Sequence, residues 1–112
     1  MSTKYKRFVD GSLVATSATT YYTAPASTKA VIRNLAFTCQ STNAQWVHVY
    51  LVPSGGTAGT GNAIANARAI APNETWVCQA AVGQVLEAGG MLQCTAGTSS
   101  SVAVVASGVE IV

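Results

Sequence analysis

The chain has 112 residues, 49% of them hydrophobic and only 9% charged, and it carries a net charge of +2 at neutral pH. That length suits one domain, able to bury roughly two-thirds of its unfolded surface without a disulfide or a metal. The composition excludes extensive disorder, and the small net charge excludes an electrostatic footprint for nucleic acid.

In chain order, the first feature is a concentration of charge. Lys4, Lys6 and Arg7 are half of the six basic groups and fall within the first seven residues. The pattern here is weak, so residues 1–11 are expected to form an extended N-terminal arm and residues 12–112 the folded domain. Lys4, Tyr5, Lys6, Arg7 and Phe8 are the candidate partner-binding residues of that arm, docking as an added strand or clasp. The competing expectation is a frayed, solvated terminus.

Leu13–Thr16 is short and apolar, and Tyr21–Thr23 is β-prone and stops at Ala24-Pro25. Lys29–Gln40 is the first long strand, with Val31, Leu35, Phe37 and Cys39 expected on one face and Asn34, Ala36 and Thr38 on the other. Arg33 interrupts the apolar face. Gln45–Val52 is the clearest strand: Val47, Val49 and Leu51 alternate with Trp46, His48 and Tyr50. A glycine-rich loop, Pro53–Asn62, follows.

Ile64–Ile70 is expected as a strand with Ile64, Asn66, Arg68 and Ile70 on one side, and Glu74–Gln79 as a strand with Trp76 and Cys78 on one face. Ala80–Gly90 fits either a helical turn or a loop. Met91–Thr95 and Ser101–Val112 close the chain as strands joined by the turn Gly97–Ser100. About eight short strands with glycine, proline, serine and asparagine between them predict an all-β antiparallel sandwich. A jelly roll is the first choice and an immunoglobulin-like sandwich the second.

Few residues have a pattern suited to catalysis. A phosphate loop needs a lysine and a hydroxyl residue opening a helix, and Ser54–Gly61 supplies no lysine. His48 is the only histidine, and no carboxylate lies near it in sequence. Asp10, Glu74, Glu87 and Glu110 are scattered over turns and strand ends. Cys39, Cys78 and Cys94 stand too far apart for a zinc motif; an odd count also argues against a disulfide framework and for buried thiols in a reducing cytosol. The N-terminus has no apolar stretch of signal-peptide length, and no run is long enough to span a membrane. The expectation is a protein with no catalytic residue, metal, cofactor, small-molecule substrate, nucleic-acid partner or membrane partner.

With so few charges, much of the surface must be neutral, and neutral surface is readily desolvated against another protein. This favours assembly. The stripe Trp46, His48 and Tyr50 has three readings: an oligomer interface, a stacking surface for carbohydrate, or core if the faces are reversed.

The runs VYLVPSGGTAG, NAIANARAIAPNETW, VGQVLEAGGMLQ and VAVVASGVEIV, with YYTAPASTKAVIRNLAFT upstream, resemble a group of small tailed-bacteriophage virion proteins over about residues 21–112. The resemblance implies a non-enzymatic structural role, foremost that of a capsid cement or decoration protein. Such a protein binds the outer shell as a homotrimer, clamps major capsid protein subunits and stabilises the mature head. It implies a place on the virion surface after assembly in the bacterial cytoplasm. The alternative is a receptor- or carbohydrate-binding module of a tail or head fibre, using the aromatic stripe and the loop Ser54–Asn62.

Overall fold

Strand formation follows the two-residue period and the scarcity of capped helical patterns. The computed structural model describes residues 2–112, and among these are nine strands and a single 3-10 turn, Gln79–Ala81. The strands are β1 (Thr3–Leu13), β2 (Thr19–Thr23), β3 (Lys29–Cys39), β4 (Gln45–Val52), β5 (Ala63–Ile70), β6 (Thr75–Val77), β7 (Val85–Leu86), β8 (Met91–Ala96) and β9 (Val102–Ile111). They form two antiparallel sheets packed as a sandwich. The first sheet has the order β1-β9-β3-β6, and β7 also pairs with β3. The short strands β6 and β7 share one edge: β6 pairs with Ala36–Thr38, and β7 with Ala30 and Val31. The second sheet has the order β2-β8-β4-β5.

The core lies between the two inner faces. The first sheet contributes Ile32, Leu35, Phe37, Cys39, Val102 and Val104; the second contributes Val47, Val49, Ile70, Leu92 and Cys94, all fully buried. Each such aliphatic or aromatic side chain stabilises the fold by about 1.5–3 kcal/mol. Val47, Val49 and the partly buried Leu51 face inward as their alternation predicts, which leaves Trp46, His48 and Tyr50 on the solvent side.

Three register shifts change the first sheet. In β1 the register slips between Arg7 and Val9, opposite Ser107 and Ala106 of β9, and again between Val9 and Ser12; in β3 it slips between Ile32 and Asn34, opposite Gly108 and Ser107. An extra residue in a strand turns two neighbours to the same side. In β1 both Phe8 and Val9 therefore enter the core. In β3 both Arg33 and Asn34 face solvent. The expected inward set Val31, Leu35, Phe37 and Cys39 is thereby corrected: before the bulge Ala30 and Ile32 point inward and Val31 outward, and only from Leu35 does the expected phase hold. Arg33 does not interrupt the apolar face, because it is the bulged residue.

The expected arm also needs correction. Thr3–Leu13 is an edge strand hydrogen-bonded along its length to β9, from Thr3 opposite Ile111 to Leu13 opposite Ala103. Its backbone groups find partners in that ladder, and Phe8 anchors it by stacking on Tyr22 of β2 with ring centroids 4.0 Å apart. Met1 lies outside the described residues. In β5 the expected single-face alternation fails as well. Two register shifts against β4 break it, and Ala67 takes a left-handed φ of 52°.

Candidate functional site

The glycine-rich loop is a closed connection between β4 and β5. Asn62 organises it: its Oδ1 accepts from the Gly59 N–H at 3.0 Å, and its Nδ2 donates to the Thr57 carbonyl at 2.9 Å. The Gly56 N–H donates back to the Pro53 carbonyl. These amides are satisfied inside the loop and do not converge on a ligand as a phosphate cradle requires.

Beside the loop, Trp46, His48 and Tyr50 form a ladder of rings on the solvent side of the second sheet. The Trp46 and His48 centroids are 4.7 Å apart and edge-on; those of His48 and Tyr50 are 6.0 Å apart and nearly parallel. The indole lies over Gly97, where an added Cβ would stand 2.8 Å from the ring. His48 Nδ1 accepts a hydrogen bond from the Ala67 N–H at 3.1 Å. That bond leaves the neutral ring its N–H at Nε2, and the bulge in β5 is what aims the Ala67 amide at it. Tyr50, Gly59, Thr60, Ala63 and Asn66 line a pocket of about 240 Å³ at the loop end of the ladder. Gln93 of β8 stands opposite Tyr50, and its Nε2 donates to the Thr20 hydroxyl at 3.0 Å.

The arm candidates come together only in part: Tyr5, Lys6 and Arg7 line one shallow groove, and Phe8 does not. Phe8 is core. Lys4 and Lys6 pair with Glu110 and Gly108 and so share the inner side of the first sheet, where the Lys6 ammonium reaches Glu110 Oε2 at 3.4 Å. The Tyr22 hydroxyl donates to the same buried carboxylate. Burial first, then this hydrogen bond and the Glu110 charge, push the Tyr22 hydroxyl well above its ordinary range. Tyr5 and Arg7 point the other way, to the outer face, where they line a shallow groove with Lys6, Arg33, Ser107 and Gly108.

That outer face carries two apolar rows that the sequence does not announce. Tyr5, Val109, Val31 and Val85 are in register across four strands, and Val105, Ala36 and Val77 are in register across three. Tyr5 is 87% exposed, Val85 48%, Val105 41% and Val77 37%. The alternation of β9, with Val102 and Val104 on one side and Val105 and Val109 on the other, is the one local signal, and it marks only the valine that β9 gives to each row.

The three cysteines are buried and free. Burial raises the Cys78 thiol, with the Ala81 and Ala80 amides opposing; burial and then the neighbouring Cys78 raise Cys94 above the ordinary thiol range. Among the described residues no three His, Cys, Asp or Glu side chains gather as a metal cluster. No family model, no curated protein and no solved structure matches the chain.

Proposed function

We propose that this protein is a non-enzymatic structural component of a tailed-bacteriophage virion. Its role is that of a homotrimeric cement protein on the outer capsid surface, gripping the major capsid protein and stabilising the mature head. The observation that carries the assembly part of the reading is the outer face of the first sheet, where Val85, Val105, Val77 and Leu13 leave apolar surface in water. Four strands at ~4.8 Å spacing and about ten residues at ~3.3 Å give a face on the order of 600 Å², near the ~800 Å² per partner of a standard interface. Association of such faces removes apolar area from water, which is its main driving force. The virion location, the threefold number and the capsid partner rest on the sequence resemblance.

We also infer a jelly roll from the strand order. The chain crosses from β1 to β2, from β2 to β3 and from β3 to β4 between sheets. It then returns so that β8 inserts between β2 and β4 and β9 between β1 and β3, as two nested Greek keys require. The grip on the shell comes from Tyr5 and Arg7 held on a rigid edge strand. A protein that binds only the mature lattice stabilises it by mass action, and several copies on one lattice add avidity.

The test is the solution mass together with binding to purified mature capsids that lack the protein. A stable trimer that binds those shells and raises their heat resistance supports the reading. A monomer that binds no shell overturns it.

A further inference from the structure

We propose that the solvent face of the second sheet is a binding site for a neutral carbohydrate, seated against Tyr50 in the pocket formed with Thr60, Ala63 and Asn66. This goes beyond the cement reading and does not depend on it.

Three observations select the ligand class. First, the site combines aromatic surface with neutral hydrogen-bonding groups. Tyr50 ends a ladder of three rings and lines the pocket with the Asn66 amide and the Thr60 hydroxyl, while Gln93 is its cross-strand neighbour on β8. A pyranose has the matching character: an apolar C–H face that stacks on an aromatic ring, and a rim of hydroxyls that both donate and accept. An aromatic body with a polar tip serves both needs in one side chain.

Second, no charged side chain lines the pocket or the ladder. A phosphate or a sulfated sugar calls for arginine or lysine, and base stacking in single-stranded nucleic acid works beside a cationic groove. The nearest cation in sequence, Arg68 of β5, is held over the Trp76 ring at 4.9 Å, and Lys29 pairs with Glu87. Arg7 and Arg33 flank a groove on the opposite sheet, and Lys6 is bound to Glu110. Third, β4 is a central strand, paired to β8 on one side and β5 on the other. Its backbone has no free edge, so a peptide strand cannot pair with the strand that carries the rings; the sheet's free edge on that side is β5, beyond the pocket. Recognition over the rings themselves must come from side chains.

The chain builds this site with the irregularity of β5. Register shifts around Ile64 and between Ala65 and Arg68 bring Asn66 to the solvent side beside Tyr50. They also turn the Ala67 amide onto His48, which fixes that ring between Trp46 and Tyr50. The loop that closes the pocket is braced by Asn62. At about 240 Å³ the pocket has room for one sugar ring, and the ladder extends from it along β4. An open pocket of this kind gives weak binding per site, about millimolar, which several copies in an assembly would strengthen.

The experiment is an amide-resonance titration of the full-length isotope-labelled protein. The probes are neutral trisaccharides of glucose, galactose, mannose and N-acetylglucosamine, with a sulfated trisaccharide and an oligothymidylate as counter-probes. The expected result is that one or more neutral trisaccharides shift Tyr50, Ala63, Asn66, Gln93 and the Trp46 indole. Tyr50→Ala should weaken that binding about tenfold or more. Tyr50→Phe, which keeps the ring, should retain most of it, and Asn66→Ala should lose several-fold with the fold intact.

No shift at these residues with any neutral trisaccharide overturns the proposal. So does stronger binding there of the sulfated sugar or the oligothymidylate, or unchanged binding by a folded Tyr50→Ala. If Tyr50→Ala disperses an oligomer, the patch is an interface between copies and the proposal also fails. Solution mass and capsid binding, measured on the same samples, report on the cement reading separately.

Discussion

The first sheet shows water a field of valines crossed by arginine; the second shows a ladder of aromatic rings set among amides and hydroxyls. Both faces arise from the same pleat, and both lie over one shared core. Their difference is chemical. On the first sheet, Val31, Val109 and Val85 align across the strands with Tyr5, and Arg7 and Arg33 lie beside them. Such a surface has aliphatic area to bury and few groups to direct a small ligand. On the second, Trp46, His48 and Tyr50 carry the apolar area, and Asn66 and Thr60 offer neutral hydrogen-bonding groups beside Tyr50. That surface can discriminate between ligands. Aliphatic rows suit a flat protein surface, and aromatic rings with polar rims suit a molecule that is half apolar and half hydroxyl.

The comparison breaks most easily on the first sheet. Val85→Lys combined with Val105→Lys should reduce the solution mass from an assembly to a single chain, because two charges cannot be desolvated in an apolar interface without a large penalty. Both sites are on the surface, so circular dichroism should stay unchanged. Tyr50→Ala, by contrast, should leave the mass as it was. Sedimentation of the two variants side by side decides whether the two faces have separate roles.

Gly108→Ala probes what holds the first face in shape. An added Cβ would stand 2.1 Å from the Val31 carbonyl oxygen and 2.7 Å from the Phe8 ring. Neither the strand backbone nor a ring stacked on Tyr22 can yield easily, so the cost should be about 3 kcal/mol or more. Hydrogen exchange should show β1 losing protection first. If instead the Tyr50 region loosened first, the two faces would be more tightly coupled than their separate bulges suggest.

Tyr22→Phe should cost about 1–3 kcal/mol. It leaves the buried Glu110 carboxylate with the half-exposed Lys6 ammonium and without its hydroxyl donor. Denaturant midpoints measure this, and the variant should bind any second-sheet ligand as before, since Tyr22 faces the core.

The smallest effect near neutrality is the one that belongs to the core shared by both faces. Cys78, Cys94 and Tyr22 are each held in the neutral form by burial. Above the ordinary thiol value of 9.0 the unfolded chain releases protons that the folded chain keeps. Stability is therefore level below that pH and falls as pH rises beyond it. Unfolding curves at neutral and alkaline pH should show the decline. Cys94→Ala should lower stability at neutral pH yet make the alkaline fall shallower.

Much of the fold is legible in the amino-acid sequence. The period-two alternation of Gln45–Val52 predicts both the strand and its faces, and β4 follows it from Trp46 to Tyr50; at the end Val52, in phase with the rings, is buried as well. The turn at Gly97–Ser100 and the strands on either side are where the local pattern puts them. Other features were not legible. Lys4, Lys6 and Arg7 give Thr3–Leu13 the look of a solvated tail, and it is an edge strand because β9 offers a partner ladder a hundred residues away. Ala80–Gly90 was ambiguous because Val85 and Leu86 form a two-residue strand only by pairing with β3. Of the two surfaces, the aromatic stripe was visible in sequence. Its pocket was not, because Asn66 reaches Tyr50 through register shifts that no local pattern encodes.

Alone, the amino-acid sequence determined the class of the molecule. Alternating apolar residues with turn formers between them make short strands and two-faced sheets, and a scarcity of charge leaves much of the surface neutral. The tertiary structure decided which residues act together. A pleat assigns alternate residues to opposite faces but does not say which face meets another sheet, and a bulge reverses that assignment midway along a strand. Arg33 points outward, Phe8 is drawn into the core, and four residues from four strands become one row only when β1, β9, β3 and β7 come into register. Those pairings join distant parts of the chain, and the hydrogen bonds and burial that select them exist only once the sheets have formed.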